Sequence, residues 1–424
     1  MAAIEGDEEC RPSPFPERIG ARPQPKPPES DKHPLVRSAA GLRILMDGRP
    51  AYGTPRGVGS YIIQLVSALG RISPETEVTV VMFGARATVS KVPIIPSPSA
   101  HCRLIRIPNA LCSRLMSRPS LNRWVRSSSW GFDLAHDTGF EHFPFGRRVV
   151  LTLHDVHQLR LPYYQNHPHN APFARRLRLA ASRAKVTITD SEATRRDAIE
   201  LLGLDPARTR TVLLGAPPMS APRSEAQRAI DQGRLAALGV RGPYILSLGD
   251  VIPRKNNVSV VRALAELPAS VRKNVQLVVA GHFGIPSVVD ELRAEAERLG
   301  VAERMVLTGF VAFETRDALL ANASALVFPS HYEGFGLPIL EAMAKSVPVV
   351  ASNNSSIPEV AGDAALLVDA YSDPGAWAVA IERALTDEAW RAEARVRGAA
   401  RVETLSWEKT ARETLENYRL AMAM

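Results

Sequence analysis

Short apolar runs that end in turn residues, each followed by a longer stretch with helical spacing, recur along this chain in two separate series. That alternation is the signature of βαβ units and restricts the chain to parallel sheets flanked by helices. The first series holds runs at 43–47, 78–83, 103–107, 132–136, 149–154, 186–189 and 211–214. The second holds runs at 244–248, 275–280, 305–308, 325–328, 347–351 and 365–368. A proline-bearing stretch, 216–223, lies between them. The expected fold is α/β, with two doubly wound, Rossmann-like domains. A length of 424 residues also exceeds what one hydrophobic core usually serves. Each such sheet offers a ligand crevice at the carboxyl ends of its strands, so facing domains would form a site in the cleft. The expected boundaries are a tail at 1–40, domains at 41–222 and 223–405, and a helix at 406–424 that packs on either domain.

The tail carries eight of the 33 prolines and almost no apolar periodicity, a composition expected to be disordered. No apolar run approaches the roughly 20 residues of a membrane-spanning helix. The N-terminus lacks the basic-then-apolar order of a secretory leader. Three cysteines, Cys10, Cys102 and Cys112, form no metal-type pair and suit a reducing compartment. These features point to a cytoplasmic protein. The net charge of +8 fits nucleic acid, an anionic membrane or phosphate-bearing ligands. Basic residues alternate with Leu115, Met116, Leu121, Trp124 and Trp130 in 111–130, as in a helix lying on acidic lipid. Pro119 interrupts that pattern, so a solvated face is the preferred reading, with peripheral contact at the inner face of an anionic membrane left open. No zinc-finger spacing or aromatic-flanked RNA signature appears, so no nucleic-acid partner is expected.

The strongest site signal is Glu333-Gly334-Phe335-Gly336-Leu337-Pro338-Ile339-Leu340-Glu341, directly after the apolar run 325–328. Pro338 suits the first position of a helix, with Glu341 in its first turn. Gly334 and Gly336 would let the backbone approach a ligand closely, and a helix N-terminus favours an anion such as a diphosphate. Carboxylates beside a phosphate are better placed to accept hydrogen bonds from hydroxyls, one from a sugar and one from a ribose. Taken singly, Glu333 is a solvated loop charge and Glu341 a helix-dipole partner; together the pattern describes a nucleotide-sugar site.

Pro253-Arg254-Lys255-Asn256 follows the run 244–248, where adjacent cations could neutralise a leaving diphosphate or form an ordinary basic turn. Arg56-Gly57-Val58-Gly59-Ser60-Tyr61 lacks the third glycine of a dinucleotide fingerprint and is read as a close-approach loop at Gly57 and Gly59. His154-Asp155 ends an apolar run, where a polar pair needs a partner or a role. His157, His167 and His169 lack acidic or cysteine partners at suitable spacing for zinc. The match of 182–185 to SxxK lacks its companion motifs and is taken as accidental.

With Ile357-Pro358-Glu359-Val360, these segments resemble the retaining glycosyltransferases of family 4, which have the GT-B fold. The similarity spans about residues 41 to 422 and is most specific between Arg304 and Asp369. It implies that Glu333 contacts the donor sugar, Glu341 the ribose, Arg254 and Lys255 the diphosphate, and His154 the transferred sugar. Asp190-Ser191-Glu192 and 212–215 resemble the family's approach to the interdomain linker. Asp250 departs from the pattern, since many members carry arginine after the glycine. Arg254 is then left to supply that charge.

The expected activity is retaining, metal-independent transfer of a hexose from a nucleoside diphosphate sugar, GDP-mannose ahead of UDP-sugars, to a glycan or lipid-linked acceptor. No two aspartates stand two apart, so the DxD pattern that holds a metal on the diphosphate is absent. No cofactor is expected. Two rivals share these motifs: a catalytically silent nucleotide-sugar sensor or assembly subunit, and a GT-B phosphorylase or epimerase.

Overall fold

The computed structural model describes residues 41–53, 57–83, 91–105, 131–139, 148–165 and 170–424. The tail 1–40, the segment 111–130, Arg56, His167 and His169 lie outside the described residues.

The strands of the first half are β1 (Arg43–Asp47), β2 (Glu77–Phe83), β3 (Ala100–Ile105), β4 (Leu134–Asp137), β5 (Val149–Leu153), β6 (Val186–Thr189) and β7 (Thr209–Thr211). Those of the second are β8 (Tyr244–Leu248), β9 (Gln276–Ala280), β10 (Met305–Gly309), β11 (Ala325–Phe328), β12 (Val349–Ser352) and β13 (Ala365–Val368). Their spatial orders are β3-β2-β1-β4-β5-β6-β7 and β10-β9-β8-β11-β12-β13. Every pairing is parallel. Both sheets therefore reverse winding once, between β1 and β4 and between β8 and β11. A strand covered on both faces needs an unbroken apolar run, and β5, β8 and β11 are buried at every residue. The expected runs and observed strands coincide at β6, β8, β11 and β13. The runs expected at 132–136 and 211–214 instead pair as Leu134–Asp137 and Thr209–Thr211, since the ladder rather than hydropathy decides which residues hydrogen-bond.

The helix Val58–Ile72 lays Tyr61, Ile62, Leu65 and Leu69 on the first sheet. Leu65 is fully buried, and truncating such a leucine to alanine costs about 2–5 kcal/mol. The helix expected at 406–424 is observed as Trp407–Ala423, starting from an N-cap Ser406 whose hydroxyl accepts from the Lys409 N–H. It buries Trp407, Ala411, Leu415 and Tyr418 on one stripe and packs against the helix Val58–Ile72 of the first half. The chain thus crosses between halves twice, and the crossings touch: Ala216 N–H donates to the Leu405 carbonyl at 2.6 Å, and Thr410 Oγ1 to the Leu213 carbonyl at 2.8 Å. A Cβ on Gly215 would lie 2.3 Å from Trp407 N, so only glycine fits this joint.

Candidate active site

The winding of the second sheet reverses between β8 and β11, and the loops that leave their carboxyl ends carry Arg254, Lys255 and Glu333. Such a reversal opens a crevice because the flanking crossovers diverge to opposite faces. Pro253–Lys255 forms a single 3-10 turn whose cap, Asn256, has φ 50°. Arg254 Nη1 donates to Glu333 Oε2 at 2.7 Å and to the Tyr332 carbonyl at 2.6 Å. Lys255 Nζ meets Glu333 Oε1 at 2.6 Å and sits 4.7 Å from the centre of the Phe328 ring. All three side chains are largely buried. Burial pushes the Glu333 carboxyl up, but Arg254 and Lys255 outweigh it and hold it at about 2. Burial, with Arg254 alongside, moves Lys255 below its ordinary value despite Glu333. Gly249 makes room for this arrangement, since a Cβ there would stand 3.1 Å from Lys255 Cε.

The loop bearing Glu333 is held from the adjacent strand end. Glu333 N–H donates to Ser355 Oγ at 3.0 Å. Ser356 Oγ donates to the carbonyls of Glu333 at 2.9 Å and Phe335 at 2.7 Å. The run Asn353-Asn354-Ser355-Ser356 after an apolar strand is a cue for a hydrogen-bonding loop, but motif spacing does not connect these serines to Glu333.

Three expectations change here. Glu341 is the fifth residue of the helix Leu337–Met343, beyond its first turn, and pairs with Arg316 of the helix Phe313–Ala321. Pro338 is the second residue of that helix, which is two turns long, so its dipole is smaller than a long helix would supply. Phe335 packs its side chain into the core, leaving its main chain for a ligand, whereas Leu337 is half-buried against the core.

Gly334 makes its close approach to protein. A Cβ there would fall 1.9 Å from the carbonyl oxygen of His154, so the bare glycine lets the two halves meet backbone to backbone. Gly59 likewise packs on the Pro50 carbonyl, where a Cβ would stand at 2.5 Å. Gly57, at φ 44°, has no described atom within 4 Å of its Cβ position, so its backbone conformation rather than close packing favours glycine there. Gly336, at φ 116°, caps the helix Leu337–Met343.

In the first half, His154 Nδ1 lies 2.6 Å from Asp190 Oδ2, and Tyr61 packs edge-on to the imidazole with centroids 4.9 Å apart. Burial disfavours the imidazolium, but Asp190 and the Thr138 main chain both favour it, and the balance raises the His154 pKa. Beside it, His136 is lowered to about 3 by burial and the charge of His154; its ring bridges Tyr418 Oη and Thr152 Oγ1, both at 2.7 Å. Asp155 binds His157 Nδ1 at 2.6 Å. Burial would raise the Asp155 carboxyl, but His157 and then Arg254 hold it at about 2, which brings Asp155 into electrostatic range of the second half. His157 is thereby a carboxylate partner. Among the described residues no group of three or more His, Cys, Asp or Glu side chains is placed to hold a metal ion.

Two more contacts join the halves. The Glu359 carboxylate accepts from the Glu192 and Ala193 N–H groups, both at 2.7 Å, capping the helix Glu192–Leu202 from the opposite half. Tyr332 Oη donates to Asp197 Oδ2 at 2.8 Å. The segments containing Asp190-Ser191-Glu192 and Glu359, far apart in sequence, meet at this cap.

Two Rossmann-like domains whose strand ends meet at a polar, charge-bearing junction have the architecture of the GT-B fold. The described model of glycosyl transferases group 1 matches residues 237–402, and that of glycosyltransferase family 4 matches 55–218. The O-antigen chain mannosyltransferase B of Escherichia coli is 30% identical over 392 residues, covering 89% of this chain and 100% of that protein. Sucrose-phosphate synthase of Thermosynechococcus elongatus superposes with a TM-score of 0.67 at 23% identity, covering 90% of this chain and 99% of its own. HepE of Anabaena, solved with UDP and glucose, gives 0.67 at 19% identity over 88% and 98% of the two chains. The chain belongs to glycosyltransferase family 4 and is a glycosyltransferase. No described helix is long and apolar enough to cross a membrane.

Proposed function

We propose that this protein transfers a hexose from a nucleoside diphosphate sugar, with mannose from GDP-mannose the favoured substrate and UDP-sugars next, to a glycan or lipid-linked acceptor. Anomeric configuration is retained and no metal is required. The second half takes the donor and the first half the acceptor. One observation carries the reading: two cations, Arg254 and Lys255, are buried together at the winding reversal of the second sheet and share one carboxylate. Buried cations need counter-charge, and a diphosphate supplies it with geometry suited to the planar guanidinium and the compact ammonium. A diphosphate seated there displaces Glu333, whose oxygens then accept hydroxyls of the sugar. The E. coli relative's name supports mannose and a polysaccharide product; the UDP complex of the Anabaena protein supports a nucleotide in this cleft.

In the step itself, the bond from the anomeric carbon to the phosphate oxygen breaks as the acceptor hydroxyl approaches the same face, and its proton passes to the departing phosphate. Negative charge grows on that phosphate, where Arg254 and Lys255 are already oriented, so little reorganisation is needed. Glu341 serves the ribose after exchanging Arg316 for its hydroxyls. His154, held by Asp190, borders the transferred sugar.

The test is a thermal-shift and turnover panel of GDP-, UDP- and ADP-sugars on the full chain, with and without a chelator. A ligand at about one hundred times its dissociation constant adds about 2.7 kcal/mol of stability. GDP or UDP stabilisation, followed by chelator-insensitive transfer and a product of unchanged anomeric configuration by NMR, is expected. A panel in which no nucleoside diphosphate stabilises the protein overturns the donor assignment, and inhibition by the chelator overturns the metal-free mechanism.

A further inference from the structure

The mechanism above leaves an aromatic ladder beside the reaction centre without a role. Tyr163 lies on the short helix Pro162–Gln165 and is 56% exposed. Its ring meets that of Tyr164 at 5.1 Å and 89°. Tyr164 in turn meets His157 at 5.1 Å and 80°, and His157 is anchored to Asp155 at 2.6 Å. The Asp155 Cβ stands 2.9 Å from where a Cβ on Gly334 would lie, and the neighbouring Glu333 is held by Arg254. The ladder therefore leads from solvent to the reacting end of the donor site.

A pyranose ring has one face of C–H bonds and an edge of hydroxyls. Tyrosine offers the matching pair, an aromatic face and a polar tip, and pockets for small polar ligands combine such faces with a few convergent polar groups. The cations placed for a diphosphate, Arg254 and Lys255, stand on the other half, whereas Asp155 beside the ladder is already paired with His157. The ribose contact expected at Glu341 also belongs to the second half. Building on the transferase reading, we propose that Tyr163 and Tyr164 form the acceptor subsite. The acceptor's terminal hexose packs its C–H face on the exposed Tyr163 ring, with Tyr164 perpendicular to that ring, and directs a hydroxyl toward the donor beside Arg254 and Glu333.

The experiment uses the full chain saturated with GDP or UDP, whichever raises its melting temperature. Binding of methyl α-D-mannopyranoside, methyl α-D-glucopyranoside and methyl β-D-galactopyranoside is titrated by saturation-transfer NMR. At least one glycoside should bind the wild-type protein. Tyr163→Ala, at an exposed position, should weaken it roughly five- to tenfold, the size of one aromatic contact, with the nucleotide dissociation constant unchanged. Tyr164→Phe should keep most of the affinity, whereas Tyr164→Leu should lose it. A Tyr163→Ala protein that binds glycoside as the wild type does overturns the subsite, as does a wild-type protein that binds nucleotide and none of the three glycosides. Failure of both nucleotides to bind removes the transferase reading, and the subsite with it.

Discussion

The two halves share the strand order of a doubly wound sheet but balance their charges differently. In the first half, polar groups at the strand ends find partners nearby in the chain: Asp47 with Arg49, and Asp155 with His157, each two residues apart. His154 reaches Asp190, 36 residues on. In the second half, the cations of the loop after β8 are matched by Glu333, 78 and 79 residues away on the far side of the winding reversal. Locally paired charges present a nearly neutral, aromatic-lined surface suited to sugar hydroxyls. Charges paired across the reversal can open to admit an anion. This is the difference that the proposed division requires, with the charged donor on one half and the neutral acceptor on the other.

Removing the shared carboxylate tests that contrast most severely. In Glu333→Gln, turnover should fall by roughly 10² to 10³. Free nucleoside diphosphate should bind at least as tightly as before, because Arg254 and Lys255 lose their internal competitor. Lys255→Met should lower turnover similarly and weaken nucleotide binding as well. Steady-state kinetics with calorimetry separates the two variants, and a Glu333→Gln protein that loses nucleotide affinity would show that the carboxylate contacts the nucleotide itself.

Acid should act on the same cluster. The Glu333 carboxyl is held at about 2 against an ordinary 4.5, so its charged form is favoured by folding. That contribution, about 3 kcal/mol in order of magnitude, is present above pH 4.5 and lost as pH falls toward 2. Asp155, at about 2 against 3.8, acts in the same direction. Melting temperature followed from pH 6 to pH 2 should drop in this window for the wild type, and Glu333→Gln should flatten the slope. An unchanged slope would locate the acid sensitivity elsewhere.

The junction should respond more mildly. Glu359→Ala removes a cap that one half provides for a helix of the other, a loss of about 1 kcal/mol. Transfer should slow several-fold while nucleotide binding to the second half stays intact. Equal losses in both would mean that the halves are not separable in this way. The smallest effect is expected at Glu341→Ala, which should raise the donor KM several-fold with little change in kcat, because a ribose contact is made in ground and transition states alike.

Much of the fold was legible because most strands here are local, nearly continuous apolar runs; the edge strands β3 and β7, which carry polar residues, are exceptions. β8, β11 and β13 begin and end where hydropathy does. The positions of Arg254, Lys255 and Glu333 after those strands followed from the same pattern, and so did the idea of a phosphate-bearing ligand. The function of Gly334 did not. Its spacing suggested a ligand loop, yet the atom it avoids is the carbonyl of His154, 180 residues earlier in the chain. Ser355 and Ser356 were visible as residues but not as supports of the Glu333 loop.

Composition, periodicity and motif spacing thus determined two doubly wound domains, the strand ends that carry polar groups, and the charge types available there. Tertiary structure alone decided that Glu333 joins Arg254 to Lys255, that Glu359 caps the Glu192–Leu202 helix, and that the Trp407–Ala423 helix returns to the first half. The reason is range. Backbone propensity and hydrophobic spacing act over one turn or one pleat, whereas these contacts depend on where the crossovers deliver chain segments scores to hundreds of residues apart.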